Sequence, residues 1–531
     1  MKKEILTANT VFQSGVEYCA TCERFEITRD QCVVLHGIGM TAPTQEIAVA
    51  FYLEGIEDCV LDFGGALLNF HGRIAPFYLH NCRNVILRNF RIDYDRPFYS
   101  QMEIVSINAT QMVLREDANF PVGLVDGVFC ALAPTWTQRL DCTQMLLQPY
   151  DAVTRAPAWH ARLSLAVFAQ NDAFANPACP IDHFAIAPGE KAGEWIVSGA
   201  MKENWRAGQI LTITHEGRDN NGVLLERCSN ITVENVRLLH CGSMGLVAMF
   251  CHDLTIRRFD MYLDEHSRGL ITINADSIHC FHCTGQILIE DCIFENMLDD
   301  AINIHGNYNR AVRCDGRQLE VEVMAAAAAG LHWYAPGDKL LIHRGNTTDI
   351  RCECTVASAQ YPTPRCVRVE LTEVHDDIQS GDIIEGAAVP EITIRRCIAG
   401  KNRPRGFLLS SGGKTLVEDC VFNTCDCAIH FTGDTTYWYE SGAVRDVTIR
   451  HCHFHNCGYC TSDYPIKAEP QVAVTADNPY FHRGIRIIDN VFESFSTGIF
   501  YGEKCETPYF SGNRHISDAT YPPVIVSPVK C

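Results

Sequence analysis

The sequence predicts an all-β fold: a parallel β-helix interrupted by two inserted antiparallel β modules. Three observations lead to this prediction. The chain has 531 residues, a short strand-like phrase recurs along it, and two long stretches lack the phrase. A single compact core stops growing at about 250–300 residues, so a chain of this length needs several domains or a repeat that extends its core layer by layer.

The recurring phrase is an apolar residue, two mostly polar residues, a Cys or apolar residue, and often a further apolar residue two positions later. Two of the steps between neighbouring phrases are 23 residues. A period in the low twenties, built from short strands rich in Val, Ile, Thr and Phe, is typical of a parallel β-helix, whose coils stack about 4.8 Å apart. The phrases begin at Leu87, Val233, Ile256, Ile289, Ile394, Val417, Ile449 and Ile487.

The phrase divides the chain into three blocks of coils and two interruptions. The coils are predicted at 1–99, 213–310 and 389–531, and the interruptions at 100–212 and 311–388. Both interruptions contain alternating apolar and polar segments between turn-rich breaks, which indicates antiparallel strands. We therefore expect two inserted β modules, and modules beside a β-helix often shape a cleft.

The cysteines follow the same repeat. Stacked coils place like residues over like, so Cys292, Cys397, Cys420 and Cys452 are predicted to form a buried ladder. The 27 cysteines are odd in number and spread over a long chain, unlike those of small secreted scaffolds. We interpret most of them as reduced thiols that pack as small hydrophobic side chains. A metal site that includes Cys452, Cys457 and Cys460 stays open as an alternative.

Composition and charge narrow the ligand classes. The chain has 64 acidic and 44 basic residues, a net charge of −20, which disfavours nucleic acid and acidic polysaccharides and favours neutral ligands. No apolar run reaches the roughly 18–20 residues that a membrane span needs. The N-terminus has no apolar run of the signal-peptide type, so we expect a cytoplasmic protein, or a secreted or periplasmic one if a signal has been removed. The possibility that the protein forms a homodimer stays open.

The densest polar chemistry lies in the coil pair 274–306. Asp276 and Asp299 are 23 residues apart, as are His282 and His305, so each pair is predicted to be stacked in neighbouring coils. Strand alternation places Asp299 and His305 on the side opposite the apolar core. Asp300 joins this polar side only if the chain bends beside it.

Three carboxylates within about one coil repel one another, so at least one pKa should rise. This separates a protonated acid from ionised bases, the combination that glycoside hydrolysis uses. A gap of roughly 6.5–9.5 Å between acid and base would indicate an inverting mechanism. Two alternatives stay open: a solvated ladder of turn residues, and a calcium site built from the same oxygens.

On several segments the chain resembles glycoside hydrolase family 110, the inverting α-1,3-galactosidases that act on blood-group-B-type and linear Galα1-3Gal structures. This resemblance implies a right-handed parallel β-helix with inserted β-barrel modules, and it implies catalytic roles for Asp276, Asp299 and Asp300. The segments are Phe70–Phe77, Ile92–Phe98, Asn274–Asp276, Asp299–Gly306 and Tyr437–Ser441.

The three aspartates are also similar in arrangement to those of polygalacturonases, another inverting β-helix family. That similarity implies that Asp299 is the general acid and that Asp276 and Asp300 hold the attacking water. The net charge, and the lack of an evident cationic strip opposite the carboxylates, argue against galacturonate as the substrate. We expect an exo-acting enzyme that removes terminal α-1,3-linked galactose, with neither metal nor organic cofactor.

Four further residues are predicted to bind the sugar. Asn303 and His305 share the polar face with Asp299 and can form hydrogen bonds with hydroxyl groups, while Trp438 and Glu440 offer a stacking face and an acceptor. Each has a structural alternative, as a turn residue or as part of a loop that packs on its own coil. Two rival functions stay open: a carbohydrate-binding β-helix without catalysis, and a polygalacturonase-type or calcium-dependent lyase enzyme.

Overall fold

The computed structural model describes residues 1–39, 45–140, 145–161, 164–167, 182–215 and 220–531. It confirms the predicted all-β fold, a parallel β-helix with inserted β modules. The N-terminal coils contain β1 (Lys2–Leu6), β2 (Val16–Ala20), β3 (Arg24–Thr28), β4 (Val33–His36), β5 (Glu46–Glu54), β6 (Glu57–His71), β7 (Ala75–His80) and β8 (Arg83–Tyr94).

Next comes the first inserted module, and then the central coils. The module contains β9 (Tyr99–Ile107), β10 (Gln111–Glu116), β11 (Val122–Val125), β12 (Val128–Leu132), β13 (Thr137–Arg139), β14 (Met145–Tyr150), β15 (Ser164–Val167), β16 (Asp182–His183), β17 (Ala185–Pro188), β18 (Glu194–Ser198) and β19 (Ile210–Thr214). The central coils contain β20 (Val223–Glu226), β21 (Ser229–Leu238), β22 (Leu246–Met249), β23 (His252–Asp260), β24 (Ile278–Phe281), β25 (Thr284–Glu290), β26 (Ile293–Glu295) and β27 (Ile302–Asn307).

The second module and the C-terminal coils complete the chain. The module contains β28 (Asn309–Asp315), β29 (Gln318–Glu322), β30 (Lys339–His343), β31 (Ile350–Thr363), β32 (Cys366–Leu371) and β33 (Ile383–Gly386). The coils contain β34 (Glu391–Arg395), β35 (Ile398–Gly400), β36 (Phe407–Ser410), β37 (Lys414–Glu418), β38 (Val421–Asn423), β39 (Ile429–Phe431), β40 (Glu440–Ser441), β41 (Asp446–Arg450), β42 (His453–His455), β43 (Ile466–Ala468), β44 (Ile485–Ile488), β45 (Val491–Ser494), β46 (Phe500–Gly502), β47 (Tyr509–Ser511), β48 (Arg514–Ser517) and β49 (Val529–Lys530).

Three sheets form the walls of the solenoid. Sheet A has the order β1-β2-β6-β8-β21-β23-β25-β34-β37-β41-β44-β47, with β3 also paired to β6. Sheet B has the order β4-β5-β7-β20-β22-β24-β27-β36-β39-β43-β46-β49, and sheet C is β26-β35-β38-β42-β45-β48. From β25 onward the main coils contribute one strand to A, then C, then B, so the strands of each sheet come from successive coils.

The eight phrases of the sequence repeat all lie in one column of sheet A. Parallel pairing joins their first residues in the order Leu87, Val233, Ile256, Ile289, Ile394, Val417, Ile449 and Ile487. The repeat predicted from the sequence is therefore the stacking repeat of the fold.

The third residue of every phrase is the corner at which the chain turns away from sheet A. All eight corner residues are left-handed, with φ between 47° and 62°, a region in which Asn and Asp are enriched among non-glycine residues. This explains why the phrase is polar at its third position. The corners are Asn89, Asn235, Arg258, Asp291, Arg396, Asp419, His451 and Asp489.

The predicted thiol ladder is present in the core. Cys292, Cys397, Cys420 and Cys452 are all buried, and their Sγ atoms donate to backbone carbonyls of the same and neighbouring coils. A second stack of buried cysteines, which the sequence analysis did not predict, links Cys82, Cys228, Cys251 and Cys283 in the N-terminal and central coils. Thiols in both stacks act as small core side chains.

Two antiparallel modules interrupt the coils. The first runs from Tyr99 to Thr214 and forms an eight-stranded sheet with a separate three-stranded sheet, and the second runs from Asn309 to Gly386 and forms a closed six-stranded barrel. The sequence predicts these interruptions at 100–212 and 311–388. The barrel packs on the outer face of sheet B, where Trp333 contacts Phe281 with ring centroids 5.4 Å apart. Within the described residues, no helix has the length and apolarity that crossing a membrane requires.

Candidate active site

The polar segment 274–306 lies on the outer face of sheet B, at strands β24 and β27 and the turns that precede them. Ile302 and Ile304 point into the core and are buried there, so the alternating residues Asn303 and His305 point away from it. Both inserted modules pack against this region. Leu298 packs in a cluster with residues of the first module, and the barrel covers Phe281.

Asp276, Asp299 and Asp300 converge at one point. One carboxylate oxygen from each lies within 4.8 Å of the other two. Asp276 and Asp300 are buried, whereas the Asp299 side chain is 17% exposed. The chain bends at Asp299, which is the condition the sequence analysis set for Asp300 to reach the polar side. The cluster therefore has two deep carboxylates and one at its mouth.

The stacking within this cluster differs from the prediction by one residue. Strands β24 and β27 pair Ile278 with Ile302, a step of 24 residues, so Asp276 is stacked on Asp300 and not on Asp299. The backbone N–H of Asp300 also points toward Asp276 Oδ1, at 3.3 Å. Two steps between phrases of sheet A are 23 residues, whereas here one extra residue lies between β24 and Ile289, where the pairing of β23 with β25 shifts register after His252.

The same one-residue difference changes the histidine pair. Strand pairing places His305 beside Phe281 and His279 beside Asn303, so the predicted stacking of His282 on His305 is wrong. His282 is a corner residue with φ of 52°, packed against Phe250 and Trp333. A one-residue slip moves a strand residue to the other face, which is why His279 takes the place expected for His282.

Arg405 holds Asp300. Its Nε and Nη2 atoms donate to Asp300 Oδ1 and Oδ2 at 2.8 and 2.9 Å, a bidentate pair in which both partners are largely enclosed. Burial raises the pKa of Asp300, and the negative charges of Asp299 and Asp276 act in the same direction, while the Arg405 guanidinium opposes the rise. Arg405 is thus the group that stabilises an ionised Asp300 in this enclosed place.

The segment before Arg405 also surrounds Asp299. Arg403 donates to the backbone carbonyl of Leu298, with Nη2 2.9 Å from that oxygen, and the same atom lies 3.9 Å from Asp299 Oδ2. The amide of Asn402 donates to the Asp299 carbonyl at 3.2 Å. The turn between β35 and β36 therefore brings two guanidinium groups to the carboxylates, in contrast to the expectation that no cationic strip faces them.

A buried chain of hydrogen bonds leads away from Asp276. His279 Nδ1 is 2.6 Å from Asp276 Oδ2, and His279 Nε2 is 3.0 Å from His305 Nε2. His305 Nδ1 is 2.5 Å from the Gly306 carbonyl oxygen, and Glu440 Oε1 lies 3.6 Å from His305 Nε2. The hydrogen bonds thus connect Asp276 to His305 through His279, and Glu440 lies beside the end of this chain.

These contacts determine where the protons are. A carbonyl only accepts, so His305 Nδ1 must carry the hydrogen that it donates to Gly306. Burial lowers the pKa of His305, which keeps the ring neutral and leaves its Nε2 as an acceptor. His279 must then donate from Nε2. One proton is therefore shared between His279 Nδ1 and Asp276 Oδ2, and the two residues act as one acid–base unit.

The four predicted sugar-binding residues fall into two groups. Asn303 donates from Nδ2 to Glu440 Oε1 at 3.5 Å, and Glu440 in turn faces His305. Asn303 Oδ1 is buried without a hydrogen-bond partner in the described part of the chain, so it can accept from a ligand hydroxyl. Trp438 is 59% exposed and packs against Tyr437, and no contact with the carboxylates places it in the same cluster.

A short antiparallel pairing brings Glu440 to the site. Strand β40 pairs with the end of β27, with Asn307 opposite Glu440. The loop before it is organised by Asp434, whose carboxylate accepts the backbone N–H groups of Thr436 and Tyr437 at 2.6 and 3.0 Å, and of Trp438. The side chain of Trp438 is therefore displayed on a structured loop next to the strand that carries Asn303 and His305.

Three residues of the site were not predicted from the sequence: Arg405, Arg403 and His279. Strand pairing aligns Phe407 with Ile302, so Arg405 occupies the position in its coil that Asp300 occupies one coil earlier. The signal was the run Lys401–Gly406, which directly precedes a coil strand. The link between Arg405 and Asp300 is not visible in the sequence, because the inserted barrel separates these stacked positions by 105 residues instead of one coil period.

The geometry of the three carboxylates bears on two expectations, the gap typical of an inverting enzyme and the alternative of a calcium site. The separation within 4.8 Å is shorter than the 6.5–9.5 Å that inverting enzymes with two carboxylates typically leave for a water molecule, so the predicted gap is not seen between the nearest oxygens. Three carboxylates are also a donor set for a hard cation such as Ca²⁺, which takes six to eight oxygens. Here each oxygen of Asp300 accepts one hydrogen bond from Arg405, which leaves one lone pair on each oxygen.

A comparison with known protein families agrees with the fold. A family model described as a right-handed β-helix region matches residues 346–515. Two solved structures have low similarity to this chain. A hyperthermoactive exopolygalacturonase from Thermotoga maritima is 9% identical, with 94% of this chain and 80% of that chain covered and a TM-score of 0.37. An endo-xylogalacturonan hydrolase from Aspergillus tubingensis is 7% identical, with 88% of this chain and 89% of that chain covered and a TM-score of 0.33. At these TM-scores they carry no further argument.

Curated relatives match nearly the whole chain. Alpha-1,3-galactosidase B from Bacteroides thetaiotaomicron is 26% identical over 500 residues, covering 90% of this chain and 76% of its own length. Alpha-1,3-galactosidase B from Phocaeicola vulgatus is 29% identical over 499 residues, with 90% and 81% coverage, and alpha-1,3-galactosidase A from Shewanella woodyi is 24% identical over 486 residues, with 89% and 76%. The chain is thus similar, over about nine-tenths of its length, to proteins named as α-1,3-galactosidases.

Proposed function

We propose that the protein is an exo-acting glycoside hydrolase that releases terminal α-1,3-linked galactose from oligosaccharides or glycoconjugates. The observation that carries the proposal is the convergence of Asp276, Asp299 and Asp300 within 4.8 Å on the outer face of sheet B. Grouped carboxylates with different environments are what sugar-cleaving acid–base chemistry requires. The similarity to proteins named as α-1,3-galactosidases supports the sugar and the linkage.

In the proposed reaction Asp299 is the general acid. Its side chain is the most exposed of the three, and the strong hydrogen bonds of Asp276 and Asp300 go to His279 and Arg405. Asp299 donates its proton to the glycosidic oxygen as the bond to the anomeric carbon breaks. The aglycone leaves as an alcohol, and positive charge develops on the sugar ring.

The attacking water is held by Asp276 and Asp300. As its oxygen bonds to the anomeric carbon, its proton passes to this carboxylate pair. The Asp276–His279 unit already shares one proton, and the bond from His279 Nε2 to His305 Nε2, at 3.0 Å, allows part of the positive charge to spread to His305. The three carboxylates thus have separate tasks: one donates a proton, and two orient and deprotonate water.

The four residues predicted to bind the sugar differ in how strongly their surroundings support that role. Asn303 has a buried oxygen without a partner, and Glu440 and His305 are next to it, so these three can bind hydroxyl groups. Trp438 has an exposed ring that can pack on the apolar face of galactose. No metal or organic cofactor is needed for this sequence of steps.

A panel of linkages tests the proposal. Purified protein is incubated with α-1,3-, α-1,4- and α-1,6-linked galactosides and with polygalacturonate, and the products are separated by chromatography. We expect galactose from the α-1,3-linked substrates, and no galactose when Asp299 and Asp300 are both replaced by Asn. Binding of galactose in a thermal-shift assay without turnover of any substrate would favour a non-catalytic carbohydrate-binding protein.

The stereochemistry needs its own measurement. Inversion is proposed because the family that the chain resembles inverts, and because two carboxylates are available to hold water. Proton NMR of the first product distinguishes the outcomes: β-galactose is expected to appear first. If α-galactose appears first, the enzyme retains configuration, as the short separation between the carboxylates would then indicate.

One observation favours a second candidate, an enzyme that acts on an acidic sugar. Arg403 and Arg405 border the carboxylates, and Lys467 follows two coils further along the same sheet face, in line with His430 and Leu408. A cationic border can bind a sugar carboxylate. Release of galacturonate from polygalacturonate, with no galactose from the neutral panel, would replace the galactosidase proposal by this one.

A further inference from the structure

We propose that the inserted barrel β28–β33 binds one zinc ion through Cys314, Cys352, His375 and Asp377, at a site separate from the three carboxylates. The Sγ atom of Cys352, a ring nitrogen of His375 and a carboxylate oxygen of Asp377 all lie within 4.8 Å of one another. Cys314 is the proposed fourth ligand: its Sγ lies beside this group, where it donates to the His375 carbonyl oxygen at 3.2 Å, and it would bind the ion once the thiol is deprotonated and turns away from that carbonyl.

The four residues come from three separate parts of the barrel. Cys314 lies near the end of β28, Cys352 near the start of β31, and His375 and Asp377 in the segment after β32. That segment is attached by few backbone hydrogen bonds, among them His375 N to Gly316 O and Thr372 N to Thr355 O, each 2.9 Å. A metal ion here would join this segment to two strands.

These two thiols differ from those of the core ladders. The ladder cysteines are buried and stacked on one another, whereas Cys314 and Cys352 are half-buried at the edge of the barrel core. His375 is also half-buried, with Nδ1 3.9 Å from Asp377 Oδ1, and Asp377 is exposed. The site is thus open enough for an ion to enter, which a ladder position is not.

The chemistry of the donors selects the metal. Two thiolates, one imidazole and one carboxylate form a four-ligand set of borderline softness, which zinc binds in tetrahedral geometry, at about 2.3 Å from sulfur and about 2.0–2.2 Å from nitrogen or oxygen. Calcium and magnesium bind oxygen donors and would not use the thiols. With all four positions taken by protein, the ion would be structural and not catalytic.

The experiment measures metal in the intact protein. The full chain is purified without chelator, its zinc content is determined by elemental mass spectrometry, and a zinc-free sample is titrated with Co²⁺. We expect about one zinc per chain and a thiolate-to-cobalt charge-transfer absorption. Cys352→Ser and His375→Ala should each lower the zinc content at least tenfold. Cys366→Ser is the matched control, because this half-buried thiol lies in the same barrel but near Glu320, at 3.6 Å.

Folding is followed separately so that loss of zinc is not confused with loss of structure. Circular dichroism should show that His375→Ala, on a surface segment, keeps the wild-type spectrum, and added zinc should raise the melting temperature of the wild type but not of this variant. Zinc content near zero in the wild type with no cobalt absorption would overturn the proposal. So would equal zinc binding by wild type, Cys352→Ser and His375→Ala, or a Cys314–Cys352 disulfide in the purified protein.

Discussion

Arg405 is stacked on Asp300 in the next coil of the β-helix and donates to both of its carboxylate oxygens, at 2.8 and 2.9 Å. The opposite charges meet because equivalent positions of successive coils are one strand spacing apart. An enclosed carboxylate without such a partner would be strongly disfavoured in its ionised form. This pair therefore decides the charge state of the deepest part of the candidate site.

Arg405→Gln should move the acid limb of the pH profile to higher pH. The positive charge of the Arg405 guanidinium lowers the pKa of Asp300, whereas burial and the carboxylates of Asp299 and Asp276 raise it. Without the guanidinium, the pKa of Asp300 should therefore rise further. The ionised form then requires a higher pH. We expect kcat/KM at neutral pH to fall by about 10- to 100-fold, because a smaller fraction of Asp300 is ionised there.

The kcat/KM profile of Arg405→Gln is compared with those of wild type and Arg396→Gln. Arg396 is a matched control, since it also binds carboxylates, Asp291 and Glu290, but at the outer corner of the helix. An acid limb that does not move in Arg405→Gln would show that Asp300 is not one of the groups that limit activity at low pH.

Asp299→Asn should lose more activity on substrates whose leaving group needs protonation than on substrates whose leaving group does not. An amide has no acidic proton to donate, so kcat/KM on a Galα1-3Gal disaccharide should fall by about 10²–10⁴, the usual contribution of general acid catalysis. A nitrophenyl α-galactoside needs little protonation of its leaving group and should lose much less. Steady-state kinetics on both substrates measure the ratio, and equal losses on the two would assign the acid role elsewhere.

His279→Gln should lower kcat more than it raises KM. The imidazole shares a proton with Asp276, and an uncharged amide cannot take up positive charge when water is deprotonated. We expect a loss of about 10- to 100-fold in kcat, within the range of acid–base effects. His252→Gln is the control, because this exposed histidine binds Thr284 on another face. Full activity of His279→Gln would rule out the shared-proton unit.

Trp438→Ala should raise KM with little change in kcat. The exposed indole offers a flat surface to the sugar, and a tenfold rise in KM corresponds to about 1.4 kcal/mol of lost binding. Tyr437→Ala is the comparison, since its ring packs edge-on against the indole and is exposed to a similar degree, 51% against 59%. If both variants keep the wild-type KM, the loop does not contact the bound sugar.

Cys420→Ser should destabilise the β-helix by about 1–3 kcal/mol, because a hydroxyl group is less well accommodated than a thiol in an apolar core. Cys420 is fully buried between Cys397 and Cys452 in the ladder. Urea denaturation measures the free energy of unfolding. Cys22→Ser, at an exposed position, should change it by less than about 0.5 kcal/mol. A ladder variant as stable as the wild type would mean that the thiols do not contribute through packing.

Much of the fold can be predicted from the sequence because its repeat is local. Each phrase such as Val417–Phe422 holds the end of one strand, a left-handed corner at Asp419 and the start of the next strand, so each phrase marks one corner of one coil. The period also brings Asp276 near the pair Asp299–Asp300. The sequence therefore predicts, without coordinates, that these three carboxylates lie close together, and it also predicts the core ladder and the two interruptions.

The tertiary structure alone decided which side chains meet. The segment between β24 and Ile289 has one residue more than the period predicts, so Asp276 lies on Asp300 and His279 takes the place expected for His282. Arg405 was hidden because the barrel separates it from Asp300 along the chain but not in space. The periodic sequence determined the coils, since strand and corner preferences act within a few residues. Contacts between coils depend on turn lengths and on the position of insertions, which only the folded chain sets.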